Sequence, residues 1–265
     1  MEKVIIKVVI SIALFFGVYF GLQQIDWMTM FEVKQTTESN EEKFGEIVWE
    51  FIKNTEDIIV DGPVTKPIDS LITVICDAND IERSKIKVHI VQNQEVNAFA
   101  LPNSHLVIYS GLITESKNEA ELCGVLGHEL AHMQLDHVMK KMVKEIGLAT
   151  IVTMTAGNNG GQVIMESLKH LTSSAYDRNL EEEADIKAVD YLVNAHIDPV
   201  QFSNFMYRLG SESEGISKYL DWVNTHPNSK ERAEYIITYS LSKHDMEFDN
   251  ILSDESWALL KESLE

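Results

Sequence analysis

The chain has 265 residues, enough for one large domain or two small ones. Hydrophobic residues make up 45% of it and charged residues 24%, which excludes a disordered or collagen-like chain. Acidic residues outnumber basic ones 42 to 22, and the resulting formal charge of −20 argues against a nucleic-acid partner, because the phosphate backbone is itself negative. The two cysteines, Cys76 and Cys123, are too few for a disulfide framework or a thiolate zinc site.

An apolar segment lies near the start of the chain. Residues 4–22 would span roughly 28 Å as a helix, close to the hydrocarbon thickness of a bilayer. Lys3 and Lys7 lie on its N-terminal side, which predicts a cytoplasmic N-terminus and an extracytoplasmic bulk, periplasmic in a Gram-negative cell. We therefore expect a membrane anchor over residues 1–24 and one domain over 25–265. A cleaved signal peptide is the alternative, which the lack of a small-x-small cleavage site disfavours.

The rest of the chain predicts an α+β fold, mainly helical with a small β-sheet. Apolar residues at helical spacing predict helices over residues 40–54, 68–78, 163–175, 180–195, 200–209, 229–240 and 255–264. Gly62 and Pro67 interrupt the pattern before the second of these helices. Alternation of apolar and polar residues predicts a strand over 85–91, and two more short strands are expected within 97–112, around a turn at Pro102.

A long helix follows these strands. Ser116 and, three residues later, Glu119 form a capping box, and the helical pattern then runs without a break to Gly147. The apolar stretch over 146–156 is too short to cross a bilayer. We interpret it as the end of a core helix or a surface hairpin.

Within that helix, residues 128–132 read His-Glu-Leu-Ala-His. Two histidines four residues apart project from one helix face and can bind one metal ion through their ring nitrogens. Glu129 is placed to take a proton from a metal-bound water, whose pKa zinc lowers to about 7. The apolar residues on either side of the motif favour a metal-binding function. Two histidines on a solvated helix face would be the alternative. The pattern thus predicts one zinc ion per chain, bound by His128 and His132, with Glu129 as the general base.

A catalytic zinc site also needs a third protein ligand and an open coordination position. The metzincin pattern requires glycine at position 135 and histidine at position 138. The chain has Leu135 and Val138 there, which excludes that subclass.

An acidic cluster at the start of a later predicted helix offers the third ligand. Glu183 and Lys187 form an i,i+4 pair, interpreted as part of the solvated face. Glu181 and Asp185 lie one turn apart, so that Asp185 can accept the free N–H of a ligand histidine. Helical geometry therefore favours Glu181 as the ligand over Glu182, and leaves both open.

These motifs resemble those of the gluzincin metallopeptidases of the HtpX, CAAX prenyl protease and Oma type. The segment YDRNLEEEAD is similar to the family pattern Ser-Arg-x-x-Glu-x-x-Ala-Asp, with Asp177 in place of the serine. Residues 97–112 resemble the family's strand pair before the zinc helix, and residues 196–199 resemble its Gly-Tyr-Asp-Pro turn. Residues 225–227, with Arg232 five residues after Pro227, are similar to its Thr-His-Pro segment. The resemblance covers roughly residues 97–232.

The resemblance implies a zincin-type metallopeptidase domain and roles for particular residues. It selects Glu181 as the third zinc ligand. It places Asp185 and Arg178 around the ligands rather than on the metal. It makes His226 either a donor to the oxyanion of the tetrahedral intermediate or the plug of a latent site. Apart from the resemblance, the strand over 97–100 is open to two compatible interpretations, as an ordinary core strand and as an edge that pairs with an extended substrate by β-augmentation.

The predicted function is that of a single-pass, membrane-anchored zinc endopeptidase that hydrolyses peptide bonds through a zinc-activated water. By resemblance, unfolded or misassembled envelope proteins are the expected substrates, which is a function in protein quality control. A zinc-binding chaperone or assembly factor with a latent, plugged site is the main alternative. Glu129 beside intact ligands favours the enzyme, since a scaffold needs no general base. A non-peptidase zinc hydrolase is disfavoured, because a possible edge strand suits a polypeptide substrate.

Overall fold

A computed structural model of the protein describes residues 33–157, 164–166, 169, 174–212, 220–243 and 247–264. The predicted anchor over residues 1–24 lies outside these ranges, as does most of the predicted helix over 163–175. Within the described ranges, we find no helix with the length and apolar character needed to cross a membrane. The chain divides into two compact units, residues 1–41 and 42–265, and the second contains all the described strands.

The secondary structure confirms a mainly helical fold with a small sheet. The described helices are α1 (Val33–Thr55), α2 (Gly62–Asp77), α3 (Ser110–Glu115), α4 (Glu119–Gln134), α5 (His137–Ile146), α6 (Leu148–Thr155), α7 (Arg178–Asn194), α8 (Val200–Glu212), α9 (Leu220–Thr225), α10 (Ser229–Leu241) and α11 (Asp254–Glu262). The described strands are β1 (Ile58–Ile59), β2 (Lys87–Val91), β3 (Ala98–Leu101) and β4 (His105–Tyr109).

The four strands form one sheet in the order β1-β2-β4-β3. Strands β2 and β4 are parallel, whereas β3 pairs with β4 in antiparallel register, with Ala100 opposite Leu106. Asn103 and Ser104 close the turn between them with positive φ angles of 63° and 57°. The two strands predicted around Pro102 are thus confirmed, and β3 is an edge strand that packs against α4.

Helix α2 begins earlier than the sequence pattern predicts. The glycine and prolines that interrupt the pattern lie inside the helix, which begins at Gly62. Pro63 occupies the first turn, where a missing N–H leaves no intrahelical bond unmade. The apolar face from Val64 to Cys76 packs into the core and stabilises the helix despite Pro67.

The predicted capping box at the start of α4 is wrong. Asn118 is the N-cap, and its side-chain oxygen accepts a hydrogen bond from the Glu121 backbone N–H at 2.8 Å. The Ser116 hydroxyl instead donates to the Leu112 carbonyl oxygen at 2.8 Å, which ends α3. The cap lies two residues later because the Ser116 hydroxyl is bonded to the preceding helix, whereas the Asn118 side chain accepts from the first turn of α4.

The predicted unbroken helix to Gly147 is also wrong, because two helices, α4 and α5, cover that span. Helix α4 ends at Gln134, and Asp136 adopts a left-handed φ of 57° before α5 begins. A short polar side chain tolerates this conformation better than most. Gly147, with a φ of 80°, then separates α5 from α6, a separate short helix where the end of a core helix or a surface hairpin was expected.

Helix α4 lies at the centre of the domain and is buried along its length. Helices α7 and α8 pack against it, together with α2 and β3. Gly124 permits the close approach of α8, because a Cβ at that position would lie 2.5 Å from the Cβ of Phe202. The buried apolar residues of α4 include Leu122, Val125, Leu126 and Leu130. The His-Glu-Leu-Ala-His motif is therefore held by packing on several sides.

Candidate metal centre

Four buried side chains converge where α4, α7 and the end of α9 meet. One ligand atom from each of His128, His132, Glu181 and His226 lies within 4.8 Å of the others. The Nε2 atoms of His128 and His132 are 2.9 Å apart, as expected for histidines on successive turns of one helix face. Glu181 Oε1 is 3.2 Å from His132 Nε2. The structure thus brings together the three predicted zinc ligands, and it adds His226 to them.

The helix start that carries the acidic cluster distinguishes the two glutamates. Glu181 lies in the first turn of α7 and is 2% exposed, facing α4. Glu182 is exposed on the other side of the helix. Among the acidic residues of this turn, Glu181 is therefore the one placed beside both histidines.

The histidines of the cluster are held neutral. Burial lowers the pKa of His132 to about 3 and that of His226 to about 4, and it also lowers the pKa of His128. A neutral imidazole has one nitrogen with a free lone pair, and that nitrogen is the metal-binding atom.

In each imidazole, the nitrogen that points away from the cluster shows which atom carries the lone pair. His128 Nδ1 lies 2.9 Å from Asp185 Oδ1, so it carries the proton that faces the carboxylate. The Nε2 lone pair of His128 then points at His132 Nε2 and, 3.2 Å away, at His226 Nδ1. Converging imidazole lone pairs beside a carboxylate fit a divalent cation, and nitrogen and oxygen donors are the set that zinc prefers.

Arg232 on α10 is a member of the site that the sequence analysis did not identify. Its guanidinium donates to both oxygens of Asp185, at 2.8 and 2.7 Å, and its Nη1 contacts Glu181 Oε2. Burial alone would raise the pKa of both carboxyls, but Arg232 holds the pKa of Asp185 at about 2 and that of Glu181 well below its usual value. The Tyr235 hydroxyl also donates to Asp185.

Arg178, which the resemblance placed around the ligands, lies elsewhere. Its side chain is 69% exposed and pairs with Glu231 at the surface. The buried position beside the ligands belongs to Arg232. The sign of Arg232 in the sequence was its place five residues after Pro227, in the segment that resembles the family.

Glu129 is completely buried beside the cluster. Its Oε2 accepts a hydrogen bond from the backbone N–H of Ala100 on β3, at 2.9 Å. Its Oε1 lies 3.4 Å from His226 Nε2. Burial raises the pKa of Glu129 to about 8, and the charge of Glu181 adds to this. A nearby dication would act in the opposite direction and favour the carboxylate.

Aromatic rings cover one side of the cluster. Tyr176 stacks on His132 with ring centroids 4.0 Å apart, and Trp222 stacks on His226 at 4.2 Å. The Tyr176 N–H donates to the Thr225 carbonyl oxygen at 3.2 Å and so joins the two covering segments. A surface cavity of about 220 Å³ reaches Glu181 and Arg232, and its other lining residues include Arg178, Glu182, Pro227, Glu231 and Tyr235.

Comparison with known proteins places the chain among proteases. The profile of peptidase family M48 matches residues 64–239. The chain is 26% identical over 232 residues to a putative beta-barrel assembly-enhancing protease of Vibrio cholerae, covering 76% of this chain and 46% of the relative. It is 30% identical over 163 residues to mitochondrial metalloendopeptidase OMA1 of Bos taurus, covering 56% of this chain and 31% of the relative.

A third relative has a more similar length. Metalloprotease LoiP of Escherichia coli is 29% identical over 183 residues, which cover 66% of this chain and 71% of the relative. The chain spans less than half the length of the other two. The family profile covers more than half of the chain and includes the four converging side chains and Glu129. The resemblance seen in the sequence is thus confirmed, and the chain belongs to peptidase family M48.

Proposed function

We propose that this chain is a zinc-dependent endopeptidase. The observation that carries the proposal is the convergence of buried imidazoles and a carboxylate beside Glu129. His128, His132 and Glu181 would hold one zinc ion per chain. The chemistry that a bound zinc ion supplies is Lewis acidity, which lowers the pKa of a water molecule and polarises a carbonyl group.

Glu129 would move the proton. Its Oε2 is fixed by the Ala100 N–H, which leaves Oε1 to accept a proton from the attacking water. The same oxygen would then deliver the proton to the nitrogen of the leaving amine. Complete burial excludes bulk water from the carboxylate, so the proton is passed to the substrate rather than to solvent.

Strand β3 would bind the substrate backbone. The Tyr109 N–H donates to the Asn97 carbonyl oxygen, whereas the Ala100 N–H points away from β4 toward Glu129. In an antiparallel pair these directions alternate, so Ala98 shares the outer edge with Ala100. An extended polypeptide pairing with that edge would lie beside the general base. This arrangement supports an endopeptidase over a zinc hydrolase of small molecules.

The full-length chain and its Glu129→Gln variant test this proposal. Zinc content and the cleavage of casein, an unfolded protein, would be measured for both. Because glutamine cannot take the proton, we expect casein cleavage to fall by about 10² to 10⁴-fold while the zinc content stays the same. Equal cleavage by the two proteins would contradict the assigned role of Glu129 and would point to a contaminating protease.

A zinc-binding chaperone with a plugged site is the second candidate, and the position of His226 favours it. His226 Nδ1 is 3.0 Å from Glu181 Oε1, and its Nε2 faces Glu129, so the ring lies between a ligand and the base. If His226 blocks the site, His226→Ala should raise casein cleavage without loss of zinc. If it donates to the substrate oxygen, the same variant should cleave more slowly.

We also propose a membrane anchor over residues 1–24, inserted through residues 4–22, with a peptidase domain over 25–265 outside the cytoplasm. The apolar run and its flanking lysines support this. Names of relatives that refer to barrel assembly support unfolded or misassembled envelope proteins as substrates. Extraction at alkaline pH tests the anchor, because the full-length chain should stay in the membrane fraction. Release of the chain by that treatment would contradict the proposal.

A further inference from the structure

The geometry points to His137, held by Glu183, as a positioning residue for the ligand His132. This inference rests on the proposed metal site. His137 is the first residue of α5 and is completely buried. Its Nδ1 lies 3.0 Å from His132 Nδ1, and its Nε2 lies 3.4 Å from Glu183 Oε2.

The positions of the ring nitrogens determine which atom donates and which accepts in the contacts from His132 through His137 to Glu183. His132 Nε2 faces the cluster, where Glu181 Oε1 is 3.2 Å away, so Nε2 is the ligand atom. The Nδ1 of His132 then carries the proton of the neutral ring. This N–H donates a hydrogen bond to the lone pair on His137 Nδ1. His137 therefore carries its own proton on Nε2, which faces the Glu183 carboxylate.

His137 does not belong to the ligand group itself. It contacts the nitrogen of His132 that points away from the converging atoms. The two rings meet edge to face, with centroids 5.1 Å apart and planes at 65°. Tyr176 stacks on a face of the His132 ring. The His132 ring is thus fixed by one neighbour at its outer nitrogen and by another on its face.

The break between α4 and α5 makes this contact possible. In a continuous helix, residues five positions apart do not lie on the same face. The left-handed Asp136 turns the chain so that His137 returns to His132. Each ligand histidine of α4 then has an outer partner, since His128 has Asp185 and His132 has His137. Such partners fix the tautomer and orientation of a ligand ring and strengthen metal binding.

Two substitutions of His137 test the inference on the full-length protein. His137→Leu fills the space but cannot accept the His132 N–H, whereas the amide of His137→Gln can accept it and can donate to Glu183. The dissociation constant for zinc would be measured by competition with a chromogenic chelator. We expect His137→Leu to bind zinc about 10- to 100-fold more weakly, and His137→Gln to recover most of the loss. Cobalt-loaded His137→Leu should also show a shifted visible absorption spectrum, since the ligand ring is no longer held.

A second pair of variants keeps the test valid if His137→Leu fails to fold. Glu183→Ala removes the outer partner of His137, and Glu182→Ala removes the same charge from the neighbouring exposed position. We expect about threefold weaker zinc binding in Glu183→Ala, the size of an exposed ion pair, and no change in Glu182→Ala. Zinc affinity equal to that of the parent in His137→Leu, or in Glu183→Ala where His137→Leu does not fold, would overturn the inference. Failure of the parent to bind zinc would instead overturn the proposed function.

Discussion

Among the residues that the structure describes, histidines form two clusters, and one of these two has the geometry of a metal site. The first is the metal centre of His128, His132, Glu181 and His226. The second, here called the sheet cluster, joins α1 to β2 and β4 and consists of Glu46, Lys87, His89 and His105. The imidazole contacts are nearly the same length in both, 2.9 Å in the metal centre and 2.8 Å between His89 and His105.

The clusters differ in how their polar atoms are arranged. In the sheet cluster the contacts form a line. The Nδ1 of His105 contacts His89 Nε2, and the Nε2 of His105 lies 3.3 Å from Glu46 Oε1 on the other side of the ring. In the metal centre one nitrogen or oxygen atom from each of four residues lies within 4.8 Å of the others. A pair of imidazoles is therefore insufficient, and convergence of lone pairs is the feature that fits a cation.

The balance of charge differs as well. Glu46 is half exposed and is already paired with the Lys87 ammonium at 2.6 Å, so the sheet cluster carries no excess negative charge. In the metal centre, Glu181 and Asp185 are both buried and share the single guanidinium of Arg232. One excess negative charge in a buried site favours the binding of a dication. A cluster without excess negative charge lacks this attraction.

Removal of one histidine from each cluster should give the largest contrast. We expect His132→Ala to lose bound zinc, from about one ion per chain to almost none, together with casein cleavage. His105→Ala should retain both, because its lone pairs do not face a common point with other donors. Zinc would be measured by atomic absorption on both purified variants. Retention of zinc by His132→Ala would contradict the proposed ligand set, and its loss from His105→Ala would show that the sheet cluster matters for metal binding.

Replacement of the cation in each cluster should give an intermediate contrast. Arg232→Met removes the cationic partner of two buried carboxylates, which we expect to lower the free energy of unfolding by about 3–5 kcal/mol. Lys87→Met breaks a partly exposed pair with Glu46 and should lower it by about 0–1 kcal/mol. Denaturant unfolding of the metal-free proteins at pH 7 measures both. Similar losses of unfolding free energy in the two variants would mean that burial does not determine how much each ion pair contributes to stability.

Local signals made much of the metal centre predictable. The His-Glu-Leu-Ala-His motif lies within one helix, so its geometry follows from helical spacing alone. The strands β3 and β4 lie on either side of a short turn, and their pairing was also predictable. Glu181 required helical geometry and a family resemblance together, because Glu182 has the same chemistry one position away.

The remaining site residues depend on tertiary contacts that no local pattern encodes. Arg232 lies 51 positions after Glu181 and meets it only because α10 packs against α7. Glu183 was interpreted as part of the solvated face and its side chain is indeed 56% exposed, but the contact of its carboxylate with His137, at 3.4 Å, was not predicted. The break at Asp136 has no glycine or proline to mark it. These features follow from packing, which is determined by the whole chain.

The smallest expected contrast is a pH dependence in the sheet cluster. Burial lowers the pKa of His89 to about 4, and the nearby His105, Lys87 and Lys53 lower it further while Glu46 opposes them. The folded protein then binds fewer protons than the unfolded chain between about pH 6.5 and 4, so the free energy of unfolding falls as the pH is lowered through this range.

His89→Phe removes this titration and keeps a ring stacked on Trp49, where the histidine ring now lies at 3.5 Å. We expect the free energy of unfolding to fall less between pH 7 and pH 5.5 in the variant than in the parent, by roughly 1 kcal/mol. Both proteins would be unfolded by denaturant without metal, so that the titration of the metal-centre histidines is common to both and cancels in the difference. Identical pH dependence would mean that His89 is protonated in the folded protein as readily as in the unfolded chain. In that case the two clusters would differ in the solvation of their histidines as well as in the convergence of their ligand atoms.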